Sequence, residues 1–100
     1  MAPSLSTHVL DAARGLPARG VRVELYRGST LLSARETDDD GRIPDLLPGA
    51  LEAGTYRLVF YPPSPFFTRV ELQVEITDPR RHHHIPLLVA PYACTTYRGS

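Results

Sequence analysis

From Val70 to Ile76 apolar and polar residues alternate without a break, with Val70, Leu72, Val74 and Ile76 set against Glu71, Gln73 and Glu75. Strand side chains point to opposite faces in turn, so a period of two marks a strand with one face in a core and the other in water. Val21, Val23 and Leu25 alternate in the same way with Arg22, Glu24 and Tyr26. The same reading predicts strands over 5–10, 31–37, 55–61 and 83–89, and a short last one over 95–98. Turn chemistry separates them at Asp11 to Pro17, at Gly28-Ser29, at the acidic run Asp38-Asp39-Asp40-Gly41 and at Asp78-Pro79. Pro44 and Pro48-Gly49 break any helix between Ile43 and Ala53, leaving a loop with a brief strand around Leu46, and Pro62-Pro63-Ser64-Pro65 forces a stiff connection. About seven or eight short strands with little or no helix is the pattern of an all-β fold, an antiparallel β-sandwich.

Composition narrows this picture without changing it. A chain of 100 residues has room for one core, so residues 1–100 are expected to form a single domain. With 10 prolines and 7 glycines against an ordinary apolar fraction of 42%, short strands and turns are favoured over long helices. Eleven basic residues balance 11 acidic ones, so no global field draws the chain to nucleic acid or to an anionic membrane, and neither is expected as a partner. Every basic residue is Arg, which carries little functional weight. The lone cysteine, Cys94, has no partner for an intrachain disulfide. No segment approaches the ~20 apolar residues of a membrane span, and Met1-Ala2-Pro3-Ser4 lacks the charged and apolar stretches of a signal peptide. A cytoplasmic location is therefore expected.

Candidate chemistry comes from strand parity. In His84-Ile85-Pro86-Leu87-Leu88-Val89, placing Ile85, Leu87 and Val89 inward leaves His84 and Leu88 outward. In the first strand Thr7 and Val9 share one face while His8 and Leu10 share the other. Each outward histidine thus has an apolar neighbour. That combination fits a surface made dry by subunit packing and carrying groups that move protons near neutral pH, against the blander reading of two solvated imidazoles. In His82-His83-His84 consecutive side chains alternate sides, so only His82 and His84 can share a face, and with no acidic or cysteine ligands at metal spacing a metal site is not expected. Arg42, just after Asp39-Asp40-Gly41, offers a planar fork of donors to an anionic, carbonyl-rich ligand, or is simply a solvated turn residue.

Four segments taken together resemble one family. Leu5-Ser6-Thr7-His8-Val9-Leu10-Asp11 looks like the opening signature of the transthyretin-related 5-hydroxyisourate hydrolases, and Tyr97-Arg98-Gly99-Ser100 is similar to their closing tetrapeptide. Asp40-Gly41-Arg42 resembles the family's Asp-Gly-Arg turn, and His84-Ile85-Pro86-Leu87-Leu88 its His-Val-Pro-Leu-Leu segment. The resemblance implies a transthyretin-like (prealbumin-like) sandwich assembled as a homotetramer, a dimer of dimers, with active sites in the channel between dimers. It implies hydrolysis of 5-hydroxyisourate by opening of its six-membered ring, with no organic cofactor and no metal. His8, Arg42, His84 and Ser100 are then the catalytic candidates, and His8, Arg42, Tyr97 and Arg98 the substrate-binding ones. Three features depart from the pattern. The Pro62 to Pro65 connection looks shorter than the family segment that carries a short helix, Thr68 stands where proline is usual, and Ala93-Cys94-Thr95-Thr96 replaces a Tyr-Ser-Thr stretch. The competing function is a binding module, since transthyretin uses the same fold to carry thyroid hormone; a sandwich with no ligand is a third.

Overall fold

The computed structural model describes residues 3–99 and folds them into two sheets. The strands are β1 (Leu5–Asp11), β2 (Leu16–Pro17), β3 (Arg22–Arg27), β4 (Thr30–Glu36), β5 (Arg42–Ile43), β6 (Gly54–Phe60), β7 (Val70–Ile76), β8 (His83–Ala90) and β9 (Ala93–Thr96). One sheet runs β2-β1-β8-β9 with β5 also paired to β1, and the other runs β4-β3-β6-β7. Period-two alternation explains the layers. Leu5 and Val9 of β1 and Ile85, Leu87 and Val89 of β8 meet Val23 and Leu25 of β3 and Tyr56, Leu58 and Phe60 of β6 in one core. Full burial of a side chain such as Leu58 or Phe60 contributes roughly 1.5–3 kcal/mol to stability. Tyr56 keeps its hydroxyl satisfied there by donating to the Glu52 carbonyl at 2.9 Å. Leu46, Leu47 and Leu51 close the core from the loop after β5.

Several expectations shift. The brief strand near Leu46 lies instead at Arg42–Ile43, because the ladder with β1 ends at Ile43 before Pro44, which has no N–H, and Leu46 keeps a single backbone hydrogen bond to the Leu5 carbonyl at 2.8 Å. Leu16–Pro17, expected as turn, pairs with Leu10 and Asp11. The last strand occupies Ala93–Thr96 instead of 95–98: Pro91 and Tyr92 form a two-residue turn, Ala93 pairs at once with Ala90, and the ladder ends at the Leu87 and Thr96 pair. One pair is not antiparallel. β1 and β8 run parallel, which requires a crossover, and here the chain crosses by building the whole second sheet between them. No described residue is helical, and the prolines from 62 to 65 occupy the connection from β6 to β7.

Candidate active site

β1 sits between β5 and β8, and its register places the candidate residues. Ser6 is opposite His84, His8 opposite Pro86 and Leu10 opposite Leu88 on one side, while His8 is opposite Arg42 on the other. Residues opposite in register share a face. Thr7, Val9, Ile85, Leu87 and Val89 are buried, so His8, Arg42 and His84 all project from the outer face of the sheet. The Thr7 hydroxyl, turned inward, donates to the Ile85 carbonyl at 2.6 Å and ties β1 to β8 beneath them.

A tight turn fixes Arg42. The Asp38 carboxylate accepts the backbone N–H groups of Asp40 and Arg42, each at 2.9 Å. Gly41 takes φ +74°, a left-handed conformation, and lies so close to β1 that a Cβ there would sit 2.5 Å from the Val9 carbonyl oxygen. Arg42 is thereby held against His8 and forms the common wall of two adjoining shallow depressions. One, of about 400 Å³, is lined by His8, Leu10, Pro17, Asp40 and Arg42. The other, of about 230 Å³, includes Ser6, Arg42, Pro44, His82 and His84.

His84 is half-buried, and its surroundings disfavour a proton. Burial lowers its pKa from the ordinary 6.5, and repulsion from the Arg42 guanidinium, with smaller contributions from His8 and His82, pushes the same way. It is therefore neutral at pH 7, with a lone pair free to accept a proton. The far end of the chain leans on it: the Gly99 N–H donates to the His84 carbonyl at 2.7 Å, and a Cβ on Gly99 would meet the His84 ring at 2.7 Å. Only glycine permits this approach.

The structure thus brings His8, Arg42 and His84 together and carries Gly99 to them. It does not bring Tyr97 and Arg98 to the same depressions. They line a separate cavity of about 360 Å³ at the open edge between β7 and β8, with Leu72, Val74 and Ile85. Ser100 lies outside the described residues. Among the described residues no group of three His, Cys, Asp or Glu side chains converges as a metal site would require. Two residues that shape the site are not among the sequence candidates. Asp38 is one, although an aspartate two and four residues before backbone donors is a readable turn signal. Ser6 is the other: parity puts it on the His8 face, but its contacts depend on a register that no local pattern reveals.

The family model for HIUase/Transthyretin matches residues 5–99. The chain belongs to the HIUase/Transthyretin family. Within that family it is 42% identical to the 5-hydroxyisourate hydrolase of Deinococcus radiodurans over 115 aligned positions, spanning 98% of this chain and 97% of that protein. Those 115 positions exceed the 100 residues present here, so the Deinococcus protein carries residues that this member of the family lacks. The structure of 5-hydroxyisourate hydrolase from Klebsiella pneumoniae is similar with a TM-score of 0.88 at 37% identity, over 98% of this chain and 99% of that one. Sea bream transthyretin in complex with thyroxine gives a TM-score of 0.82 at 26% identity, over 95% and 93% of the two chains. The family therefore accounts for the all-β sandwich.

Proposed function

We propose that this chain hydrolyses 5-hydroxyisourate, opening its six-membered ring to 2-oxo-4-hydroxy-4-carboxy-5-ureidoimidazoline in urate catabolism. The observation that carries the reading is the convergence of His8, Arg42 and His84 on one outer face in a chain alike along nearly its whole length to a 5-hydroxyisourate hydrolase. Water is a poor nucleophile at neutral pH and needs a base beside it. His84 takes the water proton as the oxygen bonds to the ring carbonyl carbon, the C–N bond breaks, and the departing nitrogen receives a proton in return. Arg42 stabilises the negative charge that develops on the carbonyl oxygen, an effect that is large where bulk water is excluded. His8 orients the substrate from the other side of Arg42. Ser100 joins the site by its resemblance to the family tetrapeptide, and Tyr97 and Arg98 belong to the segment that brings Gly99 to His84.

Exclusion of water requires a cover, because both depressions are open on the single chain. We infer that a second copy supplies it, in a homotetramer built as a dimer of dimers. Leu10 and Leu88 support this: they are register partners on the outer face beside the histidines, apolar groups that gain by burial. Light scattering giving a four-chain mass checks the inference, and a monomer sinks it. No helix of the described residues is long and apolar enough to cross a membrane. Cys94 is partly buried and burial pushes its thiol pKa up, which fits an inert packing residue in a reducing cytoplasm.

The deciding assay generates 5-hydroxyisourate in place with urate oxidase and follows its absorbance with and without the purified chain. Accelerated decay is expected, and decay no faster than the spontaneous rate refutes the activity. Its pH dependence is fixed by His84. A base must be unprotonated, so the rate holds through neutral pH and falls as acid protonates His84, with an apparent pKa below the ordinary 6.5. A half-maximal rate above pH 7 would remove His84 as the base. Arg42→Lys is expected to lower kcat/KM at least about tenfold, since an ammonium keeps the charge but not the planar fork. Unchanged kinetics in that variant would leave Arg42 as a turn residue.

A further inference from the structure

We propose that Ser6 and His82 form a proton relay with His84, which leaves Nε2 of His84 bare to receive the water proton and moves the resulting charge to His82. The proposal rests on the hydrolase reading of the site. The Ser6 hydroxyl belongs to a residue only 7% exposed, although it faces outward, because two imidazoles close over it. Its Oγ lies 2.8 Å from His84 Nδ1 and 2.8 Å from His82 Nε2. A hydroxyl has one hydrogen, so it donates to one ring and accepts from the other. If it donates to His84 Nδ1, then Nε2 of His84 carries hydrogen and cannot act as a base. If it accepts from His84 Nδ1–H and donates to His82 Nε2, then Nε2 of His84 is bare.

Surrounding charge selects the second arrangement. The positive Arg42 guanidinium faces His84. At the other end Asp45, whose carboxyl accepts from the Ser4 hydroxyl and is held below the usual carboxylate range by that bond above all, is electrostatically coupled to His82. Arg35 also faces Asp45 and offsets part of its charge. Hydrogens directed from Arg42 toward Asp45 lie along this field.

The chemistry balances. As water attacks the ring carbonyl, one of its protons passes to His84 Nε2. The Nδ1 hydrogen of His84 moves to Ser6 Oγ while the Oγ hydrogen moves to His82 Nε2. No electron pair leaves the relay, and one positive charge passes from the half-buried ring to an exposed one within the electrostatic reach of Asp45. When the C–N bond breaks, Nε2–H goes to the departing nitrogen and both relay hydrogens return. His84 is the catalytic base; Ser6 and His82 are positioning residues that act through it.

Long-range ¹H–¹⁵N NMR of the imidazoles, without substrate and just above neutral pH, reads the tautomer directly. The wild type is expected to hold His84 with hydrogen on Nδ1, and Ser6→Ala to shift it toward the Nε2–H form. In kinetics, Ser6→Ala and His82→Gln are each expected to lower kcat at least about tenfold while KM stays within about twofold, as loss of a group that orients a catalytic histidine does. His82 is exposed, so His82→Gln decides the matter even if Ser6→Ala does not fold. An Nε2–H His84 in the wild type, or unchanged kcat in His82→Gln, overturns the relay. A wild type inactive on 5-hydroxyisourate overturns the hydrolase reading instead, and the tautomer then reports on the hydrogen-bond arrangement alone.

Discussion

His84→Asn is expected to lower kcat for ring opening at least about 100-fold, the low end for loss of a general acid or base, while the melting temperature stays within a few degrees of wild type. Asparagine can still hydrogen-bond toward Ser6 but has no basic nitrogen for the water proton. The fold tolerates the change because His84 stands on the outer face, and the core side of β8 is held by Ile85, Leu87 and Val89. The same substitution at His8 is expected to act in the same direction, since His8 shares the depression lined by Arg42. Stopped-flow absorbance on freshly generated substrate measures both. Wild-type turnover in either pure, folded variant removes that histidine from the mechanism.

Gly41→Ala is the largest expected change in stability. Its φ of +74° already disfavours any side chain, and the added Cβ would lie 2.5 Å from the Val9 carbonyl oxygen and 3.1 Å from the Ala18 nitrogen. Those two atoms cannot step aside independently, since the Ala18 N–H donates to the Val9 carbonyl at 2.9 Å. The left-handed backbone costs about 1 kcal/mol and the forced displacement of β1 at least as much again, so a loss of at least about 2 kcal/mol is expected. At fixed protein concentration this corresponds to a fall of at least about 8 °C in Tm. Gly15→Ala is the control: its φ is +70°, but nothing lies within 4 Å of the added carbon, so only the backbone cost remains. Equal losses in the two variants, read by thermal unfolding, would show that the close approach to β1 does not matter.

Much of this is legible in the sequence because the core imposes a period of two. Parity alone places His8 and His84 outward beside Leu10 and Leu88, and the burial of Thr7, Val9, Ile85 and Leu87 agrees. What parity does not contain is neighbourhood. Nothing local tells β1 that it will lie parallel to β8 or that the first residue after the Asp38 turn will pair with His8, since both facts are settled by long-range register. Ser6 is hidden for that reason: its role depends on two histidines reached only through the parallel pair. The placement of Tyr97 and Arg98 is hidden for another reason. The chain leaves the β9 ladder after Thr96, and strand alternation says nothing about side chains beyond it.

The parallel pairing of the first long strand with the eighth also governs when the site can exist. Ser6 and His84 are 78 residues apart, so the groups that meet on the outer face are made at opposite ends of synthesis. The antiparallel neighbours β3, β4, β6 and β7 can pair as they emerge, while β1, paired until then only with the two-residue strands β2 and β5, waits for β8. Contacts this distant close slowly, because the entropy of the intervening loop is lost before they form. A nascent chain that has finished one sheet is therefore already structured and still inert. The histidines meet in the same step that seals the other sheet, so a partly folded copy presents a sticky strand but no histidine pair.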